Sequence, residues 1–276
     1  MISFPNCKIN IGLHIVEKRS DGYHNLETVF YPLPLTDILE VIAGEELPGK
    51  ESAPTLSLSG LPIARDQENN LCLKAWHMLR QEHIHLPPVF IHLHKNIPMG
   101  AGLGGGSADG AFTLLLLNEK FGLKLTNEKL ASYSLSLGSD CPFFIYNQPA
   151  FASGRGEIMK PLNRDLSLYS FLIVNPGIHI GTAQAFSRIV PTPAPVNLAE
   201  SIMLPVESWK DLIKNDFEEP AFFYYPVLKK IKTWLYDAGA LYASMTGSGS
   251  CFYGIFPKNK LPVPDPGTGW DMHQIP

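Results

Sequence analysis

No stretch of this 276-residue chain approaches the roughly 20 consecutive apolar residues that a membrane-crossing helix requires. Met1-Ile2-Ser3-Phe4-Pro5-Asn6-Cys7-Lys8 lacks the basic-then-apolar pattern of a secretory signal. Cysteine is scarce: Cys7, Cys72, Cys141 and Cys251 stand far apart with no C-x-x-C spacing, which argues against a disulfide framework. They read as free thiols packed as small hydrophobes in a reducing compartment, so a cytoplasmic protein is expected. Positive charge is not in excess either. A formal net charge of −4 argues against nucleic acid as the principal partner, and no membrane partner is expected. Internal repeats and low-complexity tracts are absent. No lysine stands just before Ser107, so the P-loop pattern G-x-x-x-x-G-K-[ST] is missing as well.

What is present points to a globular protein with an anion site. Apolar residues make up 45% and charged residues 17% of a chain long enough for one large or two small domains. Residues Gly100 to Gly106 contain five glycines, followed by Ser107-Ala108-Asp109 and the apolar run Ala111 to Leu117. Glycines admit turns closed to other residues and let backbone N–H groups approach an anion. A helix opening directly after them adds unpaired N–H donors and the positive end of its dipole. That combination is a phosphate cradle. Gly100, Gly102 and Gly105 also match G-x-G-x-x-G, so a dinucleotide-binding oxidoreductase is one reading. Its context is wrong, because Lys95-Asn96-Ile97-Pro98 separates the preceding strand from the glycines and Thr126 to Leu137 reads as a second helix. A nucleotide-binding regulator without catalysis is a further reading.

Periodicity predicts strands over Lys8–Val16, Asn25–Tyr31, Asp37–Ile42 and Thr55–Ser59, with breaks at Pro32 and Pro34 and a loop over Glu45–Pro54. A helix follows over Asn70–Glu82, then a strand from Val89 to Leu93. Helices are expected over Ser107–Phe121 and Asn127–Leu137, the second capped by Thr126 and stopped by Gly138. Phe143–Tyr146 reads as a strand, Phe151–Gly156 as a hairpin and Leu168–Val174 as a strand. Thr182–Ile189 is expected to be a short helix and Pro191–Pro205 loop-like. Ser208–Lys214 and Pro226–Ala238 are expected to be helical, with Val227, Ile231 and Leu235 on one face. A second glycine turn, Met245–Ser250, precedes a strand over Cys251–Phe256. Strands and helices mixed with hairpin steps indicate an α+β fold.

Several residue groups could do chemistry. Lys8 and Asn10 leave the same face of the first strand, opposite Ile9 and Ile11. A solvated strand face is the plainer expectation; a lysine and an amide facing a cleft is the other. Asp140, between a helix end and an apolar run, is either a cap or turn residue or a general base. Tyr23-His24 on a glycine turn offers rings for stacking on a planar group, or a packing lid. His92 and His94 fall on one strand face but have no Cys or carboxylate close in sequence, so with His83 and His85 they read as solvated or partly buried imidazoles and not as a metal site.

Taken together, these segments resemble one family. Pro98-Met99-Gly100-Ala101-Gly102-Leu103-Gly104-Gly105-Gly106-Ser107-Ala108 is similar to the P-x-x-x-G-L-G-x-S-[SA] loop of the small-molecule kinases that include galactokinase, homoserine kinase, mevalonate kinase and phosphomevalonate kinase. It carries one extra glycine before the serine, as one branch of that family does. Lys8-Ile9-Asn10-Ile11-Gly12-Leu13, Arg19-Ser20-Asp21-Gly22-Tyr23-His24, Gly138-Ser139-Asp140-Cys141-Pro142-Phe143-Phe144 and Gly247-Ser248-Gly249 extend the resemblance over residues 6–256.

The resemblance implies an α+β kinase fold of two domains, 1–155 binding ATP and 156–276 contributing to substrate binding, with the active site in the cleft between them. It implies ATP-dependent phosphorylation of the 2-hydroxyl of a methylerythritol carried on cytidine diphosphate, a step toward isoprenoid precursors. Lys8 and Asp140 correspond to the catalytic pair. Pro98, Gly100, Gly102, Leu103, Gly104, Gly105, Gly106 and Ser107 would wrap the ATP phosphates, with Asn70 and Lys95 on the adenosine side. Tyr23 and Phe186 would sandwich the cytosine ring, His24 would hydrogen-bond it, and Asn10 and Thr182 would touch the substrate together with Asp140. ATP and Mg²⁺ are the implied cofactors, with Ser107 the candidate Mg²⁺ contact. Oligomeric state stays open between monomer and weak dimer.

Overall fold

The computed structural model describes residues 1–45, 53–62, 69–263 and 269–276. The expected loop over Glu45–Pro54 therefore lies largely outside the described residues. In chain order the first elements are β1 (Ile2–Ser3), β2 (Asn6–Lys18), β3 (His24–Thr36), β4 (Ile38–Ala43), β5 (Thr55–Gly60), α1 (Leu71–Glu82) and β6 (Val89–Lys95). Then come α2 (Gly105–Lys120), α3 (Asn127–Leu137), α4 (Cys141–Tyr146), β7 (Ala150–Ser153), β8 (Ile158–Pro161), β9 (Tyr169–Asn175) and α5 (Thr182–Phe186). The chain ends through α6 (Leu198–Ser201), a 3₁₀ turn over Val206–Ser208, α7 (Trp209–Leu212), α8 (Glu218–Tyr224), α9 (Pro226–Asp237), β10 (Tyr242–Met245), β11 (Phe252–Pro257) and β12 (Asp271–Ile275).

The chain divides into two compact units, and they interleave along the sequence. The first comprises Met1–Cys7, Pro34–Met99 and Gly104–Asn147; the second Lys8–Leu33, Gly100–Leu103 and Gln148–Pro276. A single boundary after residue 155 was expected. Instead Lys8–Leu33 groups with the later half of the chain, because β2 and β3 form one sheet with β7 and β8.

In the first unit the sheet order is β1-β4-β6-β5, with β4 antiparallel and β5 parallel to β6. Alternation in β6 buries Val89, Ile91 and Leu93, and Lys95 falls on that same inward face. Helix α1 begins where Asn70 Oδ1 accepts from Cys72 N–H and buries Cys72, Ala75, Trp76 and Leu79. Thr126 caps α3 by accepting from Lys129 N–H, as expected. Helix α2 opens at Gly105, two residues before the expected Ser107, and is buried on most of its surface.

In the second unit β10-β11-β9-β12 form an antiparallel sheet packed on α9 and neighbouring apolar residues, with Leu172, Val174, Phe252 and Ile231 in the core.

Four expectations are corrected. Pro32 and Pro34 do not break β3, because its ladder to β7 spans only Thr28–Phe30 and ends before them. Phe143–Tyr146 is helical: Pro142 sits in the first turn of α4, and Cys141 to Ile145 are all buried, which erases the periodicity that separates helix from strand. In α9 the buried face is Leu228, Ile231 and Leu235, while Val227 is exposed. Pro191–Pro205 contains α6, capped by Asn197. Among the described residues no helix is long and apolar enough to cross a membrane. All four cysteines are buried, and none is in a disulfide.

Candidate active site

In the first unit Gly104-Gly105-Gly106 lead into α2. The cap residue Gly104 has a left-handed backbone, φ +73°, and no side chain caps the helix. Gly104 thus offers no side-chain acceptor to the first N–H groups of this 16-residue helix, and no acidic side chain stands in its first turn. A Cβ on Gly105 would lie 2.8 Å from Ile97 Cγ2 and 3.3 Å from Lys95 Nζ, so only glycine fits there. Ser107 hydrogen-bonds the Cys141 thiol, which burial pushes up to about 12. Asp140 stands at the N-terminus of α4 without making a capping bond. Of the cap or turn role open to it in the sequence, the structure shows the turn, without a side-chain cap.

The second unit gathers Lys8, Asn10 and Gly102. Lys8 Nζ donates to Asn10 Oδ1 at 2.6 Å and to the Gly102 carbonyl at 2.9 Å. The ammonium lies 5.3 Å from the centre of the Phe30 ring. Lys8 and Asn10 are each 2% exposed, so the solvated strand face expected for them is overturned. The reason is tertiary: Gly100–Leu103 and the turn at Thr246-Gly247 cover that face of β2. Lys8 N–H donates to the Leu103 carbonyl, and a Cβ on Gly247 would come 3.5 Å from Asn10 Oδ1. Gly102 has φ +82°, and a Cβ on it would meet the Thr246 carbonyl oxygen at 2.0 Å.

Two hydroxyls missed at the level of sequence complete this cluster. Thr28 Oγ1 accepts from Asn10 Nδ2 at 3.0 Å and donates to the Gly12 carbonyl. Thr246 Oγ1 accepts from Asn10 N–H at 3.1 Å and donates to the Gly102 carbonyl at 3.0 Å. Thr246 lay in the second glycine turn already noted; Thr28 left no local signal. Asn10, implied to touch substrate, has its side-chain oxygen on Lys8 and its nitrogen on Thr28.

Around the Tyr23-His24 turn, Arg19 Nε donates to both Asp21 oxygens at 3.1 and 3.0 Å, and Asp21 Oδ1 accepts from Tyr23 N–H. The Arg19 hydrogen bond holds the Asp21 carboxyl below its ordinary range. The Tyr23 ring is 55% exposed, with the Arg155 guanidinium 4.9 Å from its centre. His24 stacks on Phe186 at 4.6 Å and 20°, and Phe186 meets the Phe217 ring edge-on at 4.9 Å. The structure thus brings His24 and Phe186 together. Thr182 opens α5, but its side chain lies outside the described residues.

Asn70 and Lys95, implied on the adenosine side, have other engagements. The Asn70 side-chain oxygen caps α1. The Lys95 side chain is fully buried between Asp37 and Asp109, donating to Asp37 Oδ2 and to Asp109 Oδ2 at 2.7 Å. Burial raises the Asp109 carboxyl above its ordinary value, Lys95 draws it down and Asp37 adds to the rise. Among the described residues no group of three or more His, Cys, Asp or Glu could hold a metal. His92 and His94 instead share the Ser59 hydroxyl, at 3.0 and 2.9 Å.

Comparison with known proteins places this geometry. Residues 70–148 match the GHMP kinases N terminal domain and residues 204–262 the GHMP kinases C terminal domain. The chain is 52% identical over 262 residues to the 4-diphosphocytidyl-2-C-methyl-D-erythritol kinase of Bacteroides fragilis, covering 95% of this chain and 94% of that one. A crystal structure of 4-(cytidine 5'-diphospho)-2C-methyl-D-erythritol kinase aligns with a TM-score of 0.76 at 30% identity, over 92% of this chain and 90% of that one. Methanococcus jannaschii mevalonate kinase shares the fold, with a TM-score of 0.68 at 15% identity over 99% of this chain and 97% of that one. The chain therefore belongs to the GHMP kinase family, among its 4-diphosphocytidyl-2-C-methyl-D-erythritol kinases.

Proposed function

We propose that the protein transfers the γ-phosphoryl group of ATP to the 2-hydroxyl of 4-diphosphocytidyl-2-C-methyl-D-erythritol, in the cytoplasm, on the non-mevalonate route to isoprenoid precursors. The observation that carries this reading is the buried Lys8–Asn10 pair hydrogen-bonded to Gly102 within the glycine segment. It ties a cation to the backbone that would wrap the phosphates. Phosphoryl transfer asks mainly for in-line positioning and for charge stabilisation by preorganised donors. The uncapped N–H groups at the start of α2 supply donors for the triphosphate.

In this reading Asp140 accepts the proton of the attacking hydroxyl, within about 2.6–3.2 Å or through one water. Lys8 orients that hydroxyl and stabilises the charge that develops. Thr28 and Thr246 keep Asn10, and through it Lys8, in one geometry. Tyr23 and Phe186 stack on the cytosine and His24 bonds its edge, which makes the enzyme demand a cytidyl group. Mg²⁺ would enter with the nucleotide, since this cation commonly takes only one or two protein oxygens beside phosphate and water. The Ser107 hydroxyl is a ligand of that hard type, and the ion would neutralise phosphate charge.

The test is direct. Purified protein given ATP, Mg²⁺ and the cytidyl erythritol releases ADP, whereas mevalonate, homoserine and galactose give none. ADP release with one of those alcohols instead refutes the substrate. Asp140→Asn keeps ATP affinity within about twofold and loses at least about 100-fold in kcat, the scale of general-base catalysis; a near-normal kcat removes Asp140 from that role.

A further inference from the structure

We propose that Asp37, Lys95 and Asp109 form a buried clamp that sets the geometry of the phosphate loop, acting as positioning residues for ATP with no contact of their own to the nucleotide. The inference rests on the kinase reading above.

The three side chains come from three places in the first unit: the turn between β3 and β4, the end of β6, and the second turn of α2. Lys95 lies between the two carboxylates with its side chain fully buried, so its ammonium meets protein and not solvent. Each contact bears on one end of the glycine loop. Asp37 Oδ1 accepts from Asn96 N–H at 2.6 Å and from Ile97 N–H at 2.8 Å, fixing the backbone that enters the loop. Its other oxygen receives Lys95. Asp37 is itself anchored, its N–H donating to the Pro5 carbonyl at 2.9 Å. Asp109 receives Lys95 from the helix that leaves the loop.

The two ends are thus joined through one ammonium. Gly105 seals the arrangement, since the first residue of α2 lies so close to Lys95 Nζ and Ile97 that a Cβ would not fit. An ammonium with two carboxylate partners in a dry site is costly to disturb, because removing one partner leaves a buried charge uncompensated. Such a contact resists sliding and holds the start of α2 at a set distance from the Asn96–Ile97 backbone. Lys95 therefore works from inside, although it stands only a few residues from the glycines.

The test compares Asp37→Asn, Asp109→Asn and Lys95→Met with the intact protein. Dissociation constants for a non-hydrolysable ATP analogue and for the cytidyl substrate are measured well below each variant's melting temperature. Asp37→Asn turns an amide N–H toward the ammonium and is expected to weaken ATP-analogue binding at least about tenfold, with the cytidyl substrate within about twofold. Asp109→Asn keeps an acceptor for Lys95 and is expected to cost less than about threefold. Lys95→Met matches the loss in Asp37→Asn; if it fails to fold, the two asparagine variants decide.

Unchanged analogue binding in Asp37→Asn, with loss confined to Lys95→Met, would mean that lysine touches the nucleotide directly and overturns the clamp. Equal weakening for both ligands would make the cluster a general stabiliser and overturns it too. Failure of the intact protein to bind the analogue is a separate result, which strikes the kinase reading and the clamp's role with it.

Discussion

At the scale of single residues, the candidate site is built from side chains whose partners come from distant sequence. Lys8 and Asn10 were visible as a same-face pair, but their burial was not, because Gly102 and Thr246 cover them from far along the chain. Lys95, which the resemblance put on the adenosine side, shows locally only as a basic residue before the glycines. That its charge is consumed by Asp37 and Asp109 could not be read locally. The Arg19–Asp21 turn is the opposite case, since all its partners lie within a few residues. It carries a pH prediction. Asp21 is held below its ordinary value first by the Arg19 hydrogen bond and then by the Tyr23 N–H. A depressed carboxyl contributes order above its unfolded value and loses it as pH falls through the folded one. Asp21→Asn is accordingly expected to raise the Kd for the cytidyl substrate by about two- to fivefold at neutral pH, as befits an exposed pair. ATP affinity stays the same. By calorimetric titration that advantage of the unaltered protein is flat through neutrality and shrinks only below about pH 4.

At the scale of elements, caps and periodicity were the legible features. Asn70 and Thr126 start their helices as their side-chain chemistry dictates, and β6 alternates as its residues do. Legibility failed where burial is complete or where packing overrides propensity. The six residues of α4 have no polar face to set a period, and the prolines of β3 fall outside its ladder to β7. The loop–helix unit yields a prediction of its own. Gly102→Ala places a Cβ against the Thr246 carbonyl at a φ of +82°, so the loop must shift or the turn at 246–247 must yield. The expected result is a loss of about 1–3 kcal/mol in urea unfolding together with weaker ATP binding. A variant as stable as the parent would show that the glycine is not conformationally required.

At the scale of the whole molecule, binding should read out as stability. A ligand that binds only the folded state adds about 2.7 kcal/mol at 100 times its Kd, which for a chain of this size raises Tm by roughly 5–10 °C. An ATP analogue with Mg²⁺ is expected to give such a shift and NAD none; the reverse would revive the dinucleotide reading of G-x-G-x-x-G. By itself the sequence determined a phosphate cradle, because glycine density, a helix start and a serine at that spacing are local chemistry, and the order of its motifs carried the resemblance that implied the family and the reaction class. It determined most strands and helices for the same reason: side-chain period and capping act over a few residues. Only the tertiary structure decided that Lys8–Leu33 belongs with the later half of the chain, that both faces of β2 are covered, and that Lys95 is sealed between two carboxylates. Burial and ion pairing depend on which distant segments meet, and no local window of sequence contains both partners.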